Sequence, residues 1–252
     1  MKSPIGVVPI LAAALLAAGC GSGSRHEGVL GAEIPHCRAG EVRPLGTARI
    51  AYAAVAERRL NAFRSPGRGA IARFGTENAN GVPTVFGILA VKLGATCAPR
   101  WIRVELPQRP NCVTAWVRAQ DVELARVHTR IVVDLSAKRV TLFRNGRRVL
   151  SSTAAIGAPA TPTPTGSFYV NQRLIPTDPH GPFGPGAVGI SAFSNVLTGW
   201  TQGGPIAIHG TDAPWSIGQA VSNGCIRLPN ATLRRVFAQP RRSLYARVTQ
   251  AR

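Results

Sequence analysis

Hydrophobic and polar residues alternate over short runs along most of the chain, and this period of two is typical of β-strands. Between residues 41 and 124, apolar runs such as Thr84–Val91 and Trp101–Leu106 are separated by segments rich in turn residues. This spacing predicts a small antiparallel β-barrel or sandwich. Ile50–Leu60 is ambiguous, because its alanines also favour a short helix.

A second series of strands is predicted over residues 127–250. Ile131–Leu135, Arg139–Phe143 and Arg148–Leu150 form a β-meander pattern, and Asn145-Gly146 favours a two-residue hairpin because both residues tolerate positive φ. The other elements predicted here are strands at Ser167–Asn171, Val188–Phe193 and Ser243–Val248, and a helix that Asn230 caps and that ends at Phe237. The chain is therefore predicted to be mostly β, with a second β domain that ends in a short C-terminal helix and follows a smaller β-barrel-like domain.

The first twenty residues have the composition of an export signal. Lys2 precedes the apolar stretch Val7–Ala18, which is too short to span a bilayer comfortably. The small residues before Cys20 resemble a bacterial lipoprotein processing site, at which Cys20 would be lipidated and anchor the protein to the membrane. Residues 21–40 would then be a flexible tether. Cleavage elsewhere would release a soluble protein. Both alternatives predict that the protein is exported, and the lipoprotein alternative places it in the cell envelope, anchored to the membrane.

The chain is strongly basic, with a formal net charge of +19. Its arginines are scattered and no aromatic–basic nucleic-acid motif is present, so the charge does not predict a nucleic-acid partner. An exported basic protein would instead meet anionic lipid headgroups or anionic cell-wall polymers.

Besides Cys20 and Cys225, the chain has three cysteines, Cys37, Cys97 and Cys112. Cys97 and Cys112 flank the predicted strand Trp101–Leu106, so a disulfide between them is expected in an exported protein. The pairing of Cys37 with either of them stays open. No Cys/His spacing predicts a metal site, and no cofactor is expected.

Cys225 and His209 have the arrangement of a thiol nucleophile and its base. Cys225 follows a glycine, and His209 stands sixteen residues before it at the end of the apolar run Pro205–Ile208. A thiolate is the attacking species, so such a site needs a group that takes the proton from sulfur. The alternatives are that Cys225 is a buried structural residue or belongs to a disulfide.

The residues around this pair indicate how an acyl-transfer site would be completed. The backbone N–H groups of Asn223, Gly224 and Cys225 could converge on the oxyanion of a tetrahedral intermediate. The base also needs its second ring nitrogen held, for which the Gly210 carbonyl and Asp212 are the candidates.

The region from Arg130 to Val248 resembles the catalytic domain of the bacterial L,D-transpeptidases. The family usually has histidine at the position of Asn223. The resemblance rests on the meander from Val132 to Phe143, the loop Thr163–Phe168, and His209-Gly210-Thr211 followed by Ser222–Leu228. Separately, Trp101–Val104 and Thr114–Val117 resemble the last hairpin of bacterial SH3-like modules.

The resemblance implies a β-sandwich fold for this domain and a specific reaction. Cys225 would attack the carbonyl after the third residue of a peptidoglycan stem tetrapeptide, His209 would transfer the protons, and a second stem would accept the acyl group to give a 3→3 cross-link. It also implies acylation by carbapenems and a lid formed by Pro176–Gly186. The residues expected to bind substrate are Ser222, Arg227, Gly210 and Thr211. The alternatives are an L,D-carboxypeptidase and a non-catalytic lipoprotein that binds the cell wall.

Overall fold

The structure is a computed structural model that describes residues 37–47, 49–199, 204–239 and, as a strand only, 244–249. The predicted signal peptide, Cys20 and most of the predicted tether lie outside the described residues. In the described part, strands dominate, and one short α-helix lies near the C-terminal end, before the last strand. The mostly β fold with a C-terminal helix that the sequence predicts is thus confirmed.

The first half of the described chain forms one antiparallel sheet, whose strands differ in length, around its own apolar core. The neighbouring strands follow the order β4-β3-β7-β6-β5-β2-β8, and β1 pairs with β5. Side chains such as Phe86, Ile102 and Val104 are fully buried between its strands. Its strands are β1 (Val42–Pro44), β2 (Ala51–Ala56), β3 (Leu60–Ser65), β4 (Arg68–Phe74), β5 (Val85–Leu93), β6 (Pro99–Glu105), β7 (Thr114–Arg118) and β8 (Val122–Val127).

The ambiguous segment near residue 50 is a strand. Ala51–Ala56 pairs with β5 on one side and β8 on the other, and Ala54 is fully buried. Backbone hydrogen bonds on both edges outweigh the weak helix preference of alanine, which amounts to less than about 1 kcal/mol per residue. The helix alternative is therefore wrong.

The second half forms a separate set of strands. The larger sheet has the order β11-β10-β9-β18-β13-β14-β15-β17, and β12 pairs with β16 in parallel. The helix α1 (Asn230–Phe237) buries Leu233 and Val236 against this sheet. The strands are β9 (Thr129–Asp134), β10 (Arg139–Arg144), β11 (Arg147–Thr153), β12 (Ile156–Gly157), β13 (Gly166–Leu174), β14 (Ala187–Phe193), β15 (Pro205–His209), β16 (Ala220–Ser222), β17 (Ile226–Arg227) and β18 (Leu244–Thr249).

The hairpin predicted at Asn145-Gly146 is confirmed. The two residues connect β10 to β11 with φ of 51° and 80°. Positive φ at both central residues is the geometry of a type I′ turn, whose twist matches that of the flanking strands.

Side chains from the two sets of strands interlock. Buried Ser191 on β14 donates to Glu105 on β6 at 2.7 Å. The side chain of Asn111 both accepts from the Phe193 N–H and donates to the Phe193 carbonyl, each at 2.8 Å. Burial raises the pKa of the Glu105 carboxyl, and the Ser191 hydrogen bond partly opposes that rise. These contacts fix the two sets of strands to each other through buried polar groups.

The disulfide joins Cys37 to Cys97, with a Cα–Cα distance of 5.7 Å, and Cys112 is a free, exposed thiol. The expected Cys97–Cys112 bridge is therefore wrong. Cys97 precedes β6 and Cys112 follows it, so the length of the strand, about 20 Å, separates them. Disulfides require Cα atoms within about 7 Å of each other.

Candidate active site

Two short parallel strands bring the predicted nucleophile and base to one face of the second sheet. In β15 and β17, Ile208 is paired with Ile226 and His209 with Arg227. Ile208 and Ile226 are fully buried in the core, so strand alternation turns His209 and Arg227 to the opposite face. Cys225 directly precedes β17, and its Sγ lies 4.0 Å from the carbonyl oxygen of Pro205, the first residue of β15. Continued alternation predicts that Cys225 shares the face of His209.

The ring of His209 is fixed by the residue that follows it. Its Nδ1 lies 2.5 Å from the Gly210 carbonyl oxygen. A carbonyl can only accept, so Nδ1 carries the proton of the neutral ring and Nε2 carries the lone pair. Of the two candidates for this task, the Gly210 carbonyl is therefore the one that makes the bond.

Burial keeps the His209 ring neutral. The side chain is 4% exposed, and the ring of Phe183 packs edge-on against it at 5.0 Å between centroids. Desolvation lowers the pKa of His209 to about 4; Arg227 adds to the decrease, whereas the Gly210 hydrogen bond and Asp212 oppose it. At neutral pH the imidazole is thus an unprotonated base.

Cys225 is a free, partly buried thiol, which rules out the disulfide alternative. Its Sγ lies 4.0 Å from the Pro205 carbonyl oxygen. Burial raises the pKa of this thiol, while the Ala207 backbone and Arg227 act to lower it. Since burial penalises charge at both Cys225 and His209, the resting pair is a neutral thiol beside a neutral imidazole.

The turn that presents Cys225 is locked from within by Ser222. The Ser222 hydroxyl donates to the Cys225 carbonyl at 2.5 Å and accepts from the Gly224 N–H at 3.2 Å. Ser222 is 2% exposed, so its side chain fixes the turn and does not face a substrate. The Gly224 N–H was expected to bind the oxyanion, but it donates to the Ser222 hydroxyl instead. Binding of the oxyanion by the N–H groups of Asn223 and Cys225 stays a prediction.

Glycine is required at position 224. Its φ is +107°, a region that side chains rarely adopt, and an added Cβ would lie 3.0 Å from the Ile206 Cδ1 atom. The sequence marked this glycine as a turn, and the backbone conformation gives the reason.

A pair of threonines, which we call the threonine clamp (Thr161 and Thr163), holds the same turn from outside. Thr163 donates to the Gly224 carbonyl at 2.8 Å and accepts from the Gly157 N–H at 2.9 Å. Thr161 donates to the Ser222 carbonyl at 2.9 Å. The sequence placed Thr163 in a family motif without a role, since nothing local shows that a loop sixty residues away meets the cysteine turn.

The residues after His209 are also fixed. Asn230 accepts from the Thr211 N–H at 2.8 Å, and Thr211 is 4% exposed. Gly210 lies so close to the Asn230 side chain that a Cβ there would overlap its oxygen. Gly210 and Thr211 thus support His209 from behind, although they were expected to bind substrate. Asn230 does not cap α1, because the N-cap is Pro229 and makes no side-chain hydrogen bond.

Arg227 supplies positive charge to the face that carries the reactive pair. It is half-buried, lies opposite His209 in the strand register, and its Nε–H is buried with no hydrogen-bond partner among the described residues. A guanidinium in this state is suited to binding an anion.

The segment predicted as a lid, Pro176–Gly186, contacts the base directly. Phe183, which packs on His209, is itself 49% exposed. The loop thus covers one side of His209, and opening and closing remain predictions. Within the described residues, no cluster of three or more His, Cys, Asp or Glu side chains is arranged to hold a metal ion. The described helices include none with the length and apolar character needed to cross a membrane.

Residues 128–243 match the family model of the YkuD L,D-transpeptidase catalytic domain. An inferred L,D-transpeptidase of Bacillus subtilis, YkuD, is 42% identical over 40% of this chain and 53% of its own length. A Bacillus licheniformis relative of the same name is 39% identical over 40% of this chain and 53% of its own length. The chain therefore spans about half the length of the curated relatives it matches.

Among solved structures, the C442S mutant of the Enterococcus faecium L,D-transpeptidase is 25% identical over 48% of this chain and 49% of its own, with a TM-score of 0.37. The family-model match and the curated relatives support the L,D-transpeptidase catalytic domain family for residues 128–243.

Proposed function

We propose that the protein is a peptidoglycan L,D-transpeptidase that forms 3→3 cross-links through a thioester on Cys225. The proposal is supported above all by the His209 ring, which is buried, held through Nδ1 by the Gly210 carbonyl, and carried by β15, the strand whose Pro205 carbonyl contacts the Cys225 thiol.

In the first half-reaction, the Cys225 sulfur attacks the carbonyl after the third residue of a stem tetrapeptide while His209 Nε2 takes the thiol proton. The tetrahedral intermediate collapses, the C–N bond to the terminal D-alanine breaks, and His209 returns the proton to the departing amine. The products are a thioester on Cys225 and free D-alanine.

In the second half-reaction, the side-chain amine on the third residue of another stem attacks the thioester. His209 accepts a proton from this amine, and the sulfur leaves as thiolate and recovers a proton from the imidazolium. The cycle needs no oxidant, reductant or further reactant.

A neutral Cys225 thiol and a neutral His209 ring before the reaction are suited to this transfer of protons. Because burial disfavours charge on both Cys225 and His209, proton transfer is expected to accompany attack on the carbonyl instead of preceding it. Arg227 would bind a carboxylate of the donor stem, as its charge and buried Nε–H suggest.

Covalent labelling tests the proposal. The purified exported portion is incubated with a carbapenem, whose β-lactam carbonyl stands in for the donor carbonyl, and its intact mass is measured. We expect one adduct in the unchanged protein and in Cys112→Ala, and none in Cys225→Ala. A folded protein with free Cys225 and no adduct would contradict the proposal and favour the non-catalytic lipoprotein.

Product analysis separates transfer from hydrolysis. The same thioester reacting with water would make the enzyme an L,D-carboxypeptidase. Incubation with disaccharide-tetrapeptide followed by mass spectrometry is expected to yield 3→3 dimers. Tripeptide monomer without dimer, lost in Cys225→Ala, would identify the hydrolytic alternative.

We also propose that the protein is exported and anchored to the membrane by a lipid on Cys20, with its catalytic domain facing the cell wall. The apolar stretch followed by small residues and Cys20 supports this. Detergent-phase partitioning of the full chain is expected to be lost in Cys20→Ala, and unchanged partitioning of that variant would exclude the anchor.

A further inference from the structure

The first sheet carries a groove of about 450 Å³ that the proposed reaction does not use. It lies where β5 turns into β6 and where β7 ends. We call it the Trp101 groove and define it by five of its lining side chains: Thr96, Arg100, Trp101, Arg118 and Gln120.

The groove is built by strand register. Trp101 on β6 is paired with Arg118 on β7, and the Arg118 guanidinium lies over the Trp101 ring at 5.5 Å from its centroid. Phe63 packs edge-on against the same ring at 5.7 Å. Ile102 is fully buried, so alternation directs Trp101 away from the core. An aromatic ring and a cation are therefore held together on the outer face of the sheet.

The aromatic surface continues beside the groove. Trp116 is paired with Phe63 on one side and with Arg103 on the other, so these three side chains share the outer face with Trp101. Trp116 is half-buried and Arg103 is exposed. The groove is thus one end of a wider face of rings and arginines.

The positive charge of the groove is not balanced locally. None of the described residues that line it is acidic. Where the structure describes ion pairs, they join Arg43 to Glu41 and Arg58 to Asp121, and neither involves Arg100 or Arg118. Guanidinium groups held in this way are expected to bind an anion through paired N–H donors.

The rim is rigid. Cys97 lies in the turn between β5 and β6 and is bonded to Cys37, and the Gly94 N–H donates to the Ala98 carbonyl across the base of that turn at 2.8 Å. A binding surface that is ordered before it meets its ligand loses less entropy on binding.

We propose that the Trp101 groove binds the glycan strand of peptidoglycan and holds the wall while the second sheet acts on it. The indole ring would pack against the C–H face of a sugar, Thr96 and Gln120 would bond to hydroxyl or amide groups, and Arg100 and Arg118 would bind carboxylates of the attached peptides. The identity of the polymer rests on the proposed function, whereas the preference for a polymer that combines sugar rings with carboxylates rests on the groove.

Sedimentation with insoluble peptidoglycan, freed of its attached phosphate polymers, tests the proposal. All variants carry Cys225→Ala, so binding is measured without catalysis. Reversing both exposed groove charges, Arg100→Glu with Arg118→Glu, is expected to weaken binding by about tenfold or more. The matched control is Arg147→Glu with Arg148→Glu, two exposed arginines on the β10–β11 hairpin, which is expected to retain binding.

Each other outcome overturns the proposal. Equal losses in both pairs would mean that diffuse charge holds the wall, and no loss in either would mean that the groove is not used. Binding only to walls that keep their phosphate polymers would identify a phosphate ligand. With Cys225 intact, the groove variants should still form the carbapenem adduct. A negative result for peptidoglycan binding would therefore not contradict the proposed reaction at Cys225.

Discussion

The turn that carries Cys225 and the Trp101 groove are two solutions to the same problem of holding a few side chains in place. The Cys225 turn is fixed by short, buried hydrogen bonds from Ser222 and Thr163, and burial makes its reactive groups neutral. The groove is fixed by strand register and a disulfide, and its guanidinium groups remain exposed and charged. The two reactive side chains are buried and neutral at rest, whereas the arginines proposed to hold the polymer are exposed and charged.

Replacing His209 should produce the largest effect, and it should change the acylation of Cys225 without changing binding at the Trp101 groove. We expect His209→Gln to lower the rate of carbapenem acylation by about 10³-fold, because the variant lacks the proposed acceptor of the thiol proton. Stopped-flow kinetics with mass detection would measure it, and binding to peptidoglycan should not change. His128→Gln, at an exposed histidine, is the control. An acylation rate within threefold of the unchanged protein would remove His209 from the mechanism.

Removing the Cys37–Cys97 disulfide should weaken binding at the Trp101 groove without changing the acylation of Cys225. Cys37→Ser with Cys97→Ser is expected to lower the free energy of unfolding by about 2–4 kcal/mol and to weaken peptidoglycan binding several-fold. Acylation of Cys225 at temperatures where the variant is folded should stay the same. Urea denaturation and sedimentation are the measurements, and Cys112→Ser is the control. Unchanged binding in the folded variant would show that the rim does not need its disulfide.

Lowering the pH should affect the buried, neutral His209 and leave the exposed arginines of the Trp101 groove charged. The pKa of His209 is about 4 in the folded state against an ordinary value of 6.5, so the unfolded chain binds the proton first as the pH falls. The resulting loss of stability begins near pH 6.5, is complete near pH 4, and amounts to about 3 kcal/mol.

The comparison of the unchanged protein with His209→Gln across this pH range isolates the contribution of the histidine from that of the carboxylates. The acid limb of the acylation rate is expected to have its midpoint near 4, since only the unprotonated ring accepts a proton. A midpoint near 6.5 would mean that His209 is less buried than described here.

The threonine clamp offers a smaller and sharper test. Thr163→Val keeps the shape of the side chain but removes bonds to the Gly157 N–H and the Gly224 carbonyl. We expect a roughly tenfold slower acylation, with recovery in Thr163→Ser and no change in Thr165→Val, an exposed neighbour. If Thr163→Ser is as slow as Thr163→Val, the methyl group and not the hydroxyl positions the turn.

Several features follow from local patterns in the sequence. The Asn145-Gly146 hairpin, the strand series and the spacing of His209 and Cys225 were all predicted, because each depends on residues close together in the chain. Ala51–Ala56 was ambiguous for the same reason, since its composition suits a helix and only its two neighbouring strands decide otherwise.

The features that the sequence left undecided join distant segments. The partner of Cys97 is sixty residues away, Thr163 reaches Gly224 across sixty-one residues, and the register of β15 and β17 sets Arg227 opposite His209. Ser222 was expected to meet substrate, and its burial against the Cys225 carbonyl changed that interpretation.

The sequence by itself therefore determined the strand-rich architecture and the chemical identity of the reactive pair. The tertiary structure decided the protonation of that pair, the threonines that hold it, the disulfide pairing and the meeting of Trp101 with Arg118. The physical reason is that periodicity and turn chemistry act over a few residues, whereas burial and strand register depend on the order in which distant strands assemble.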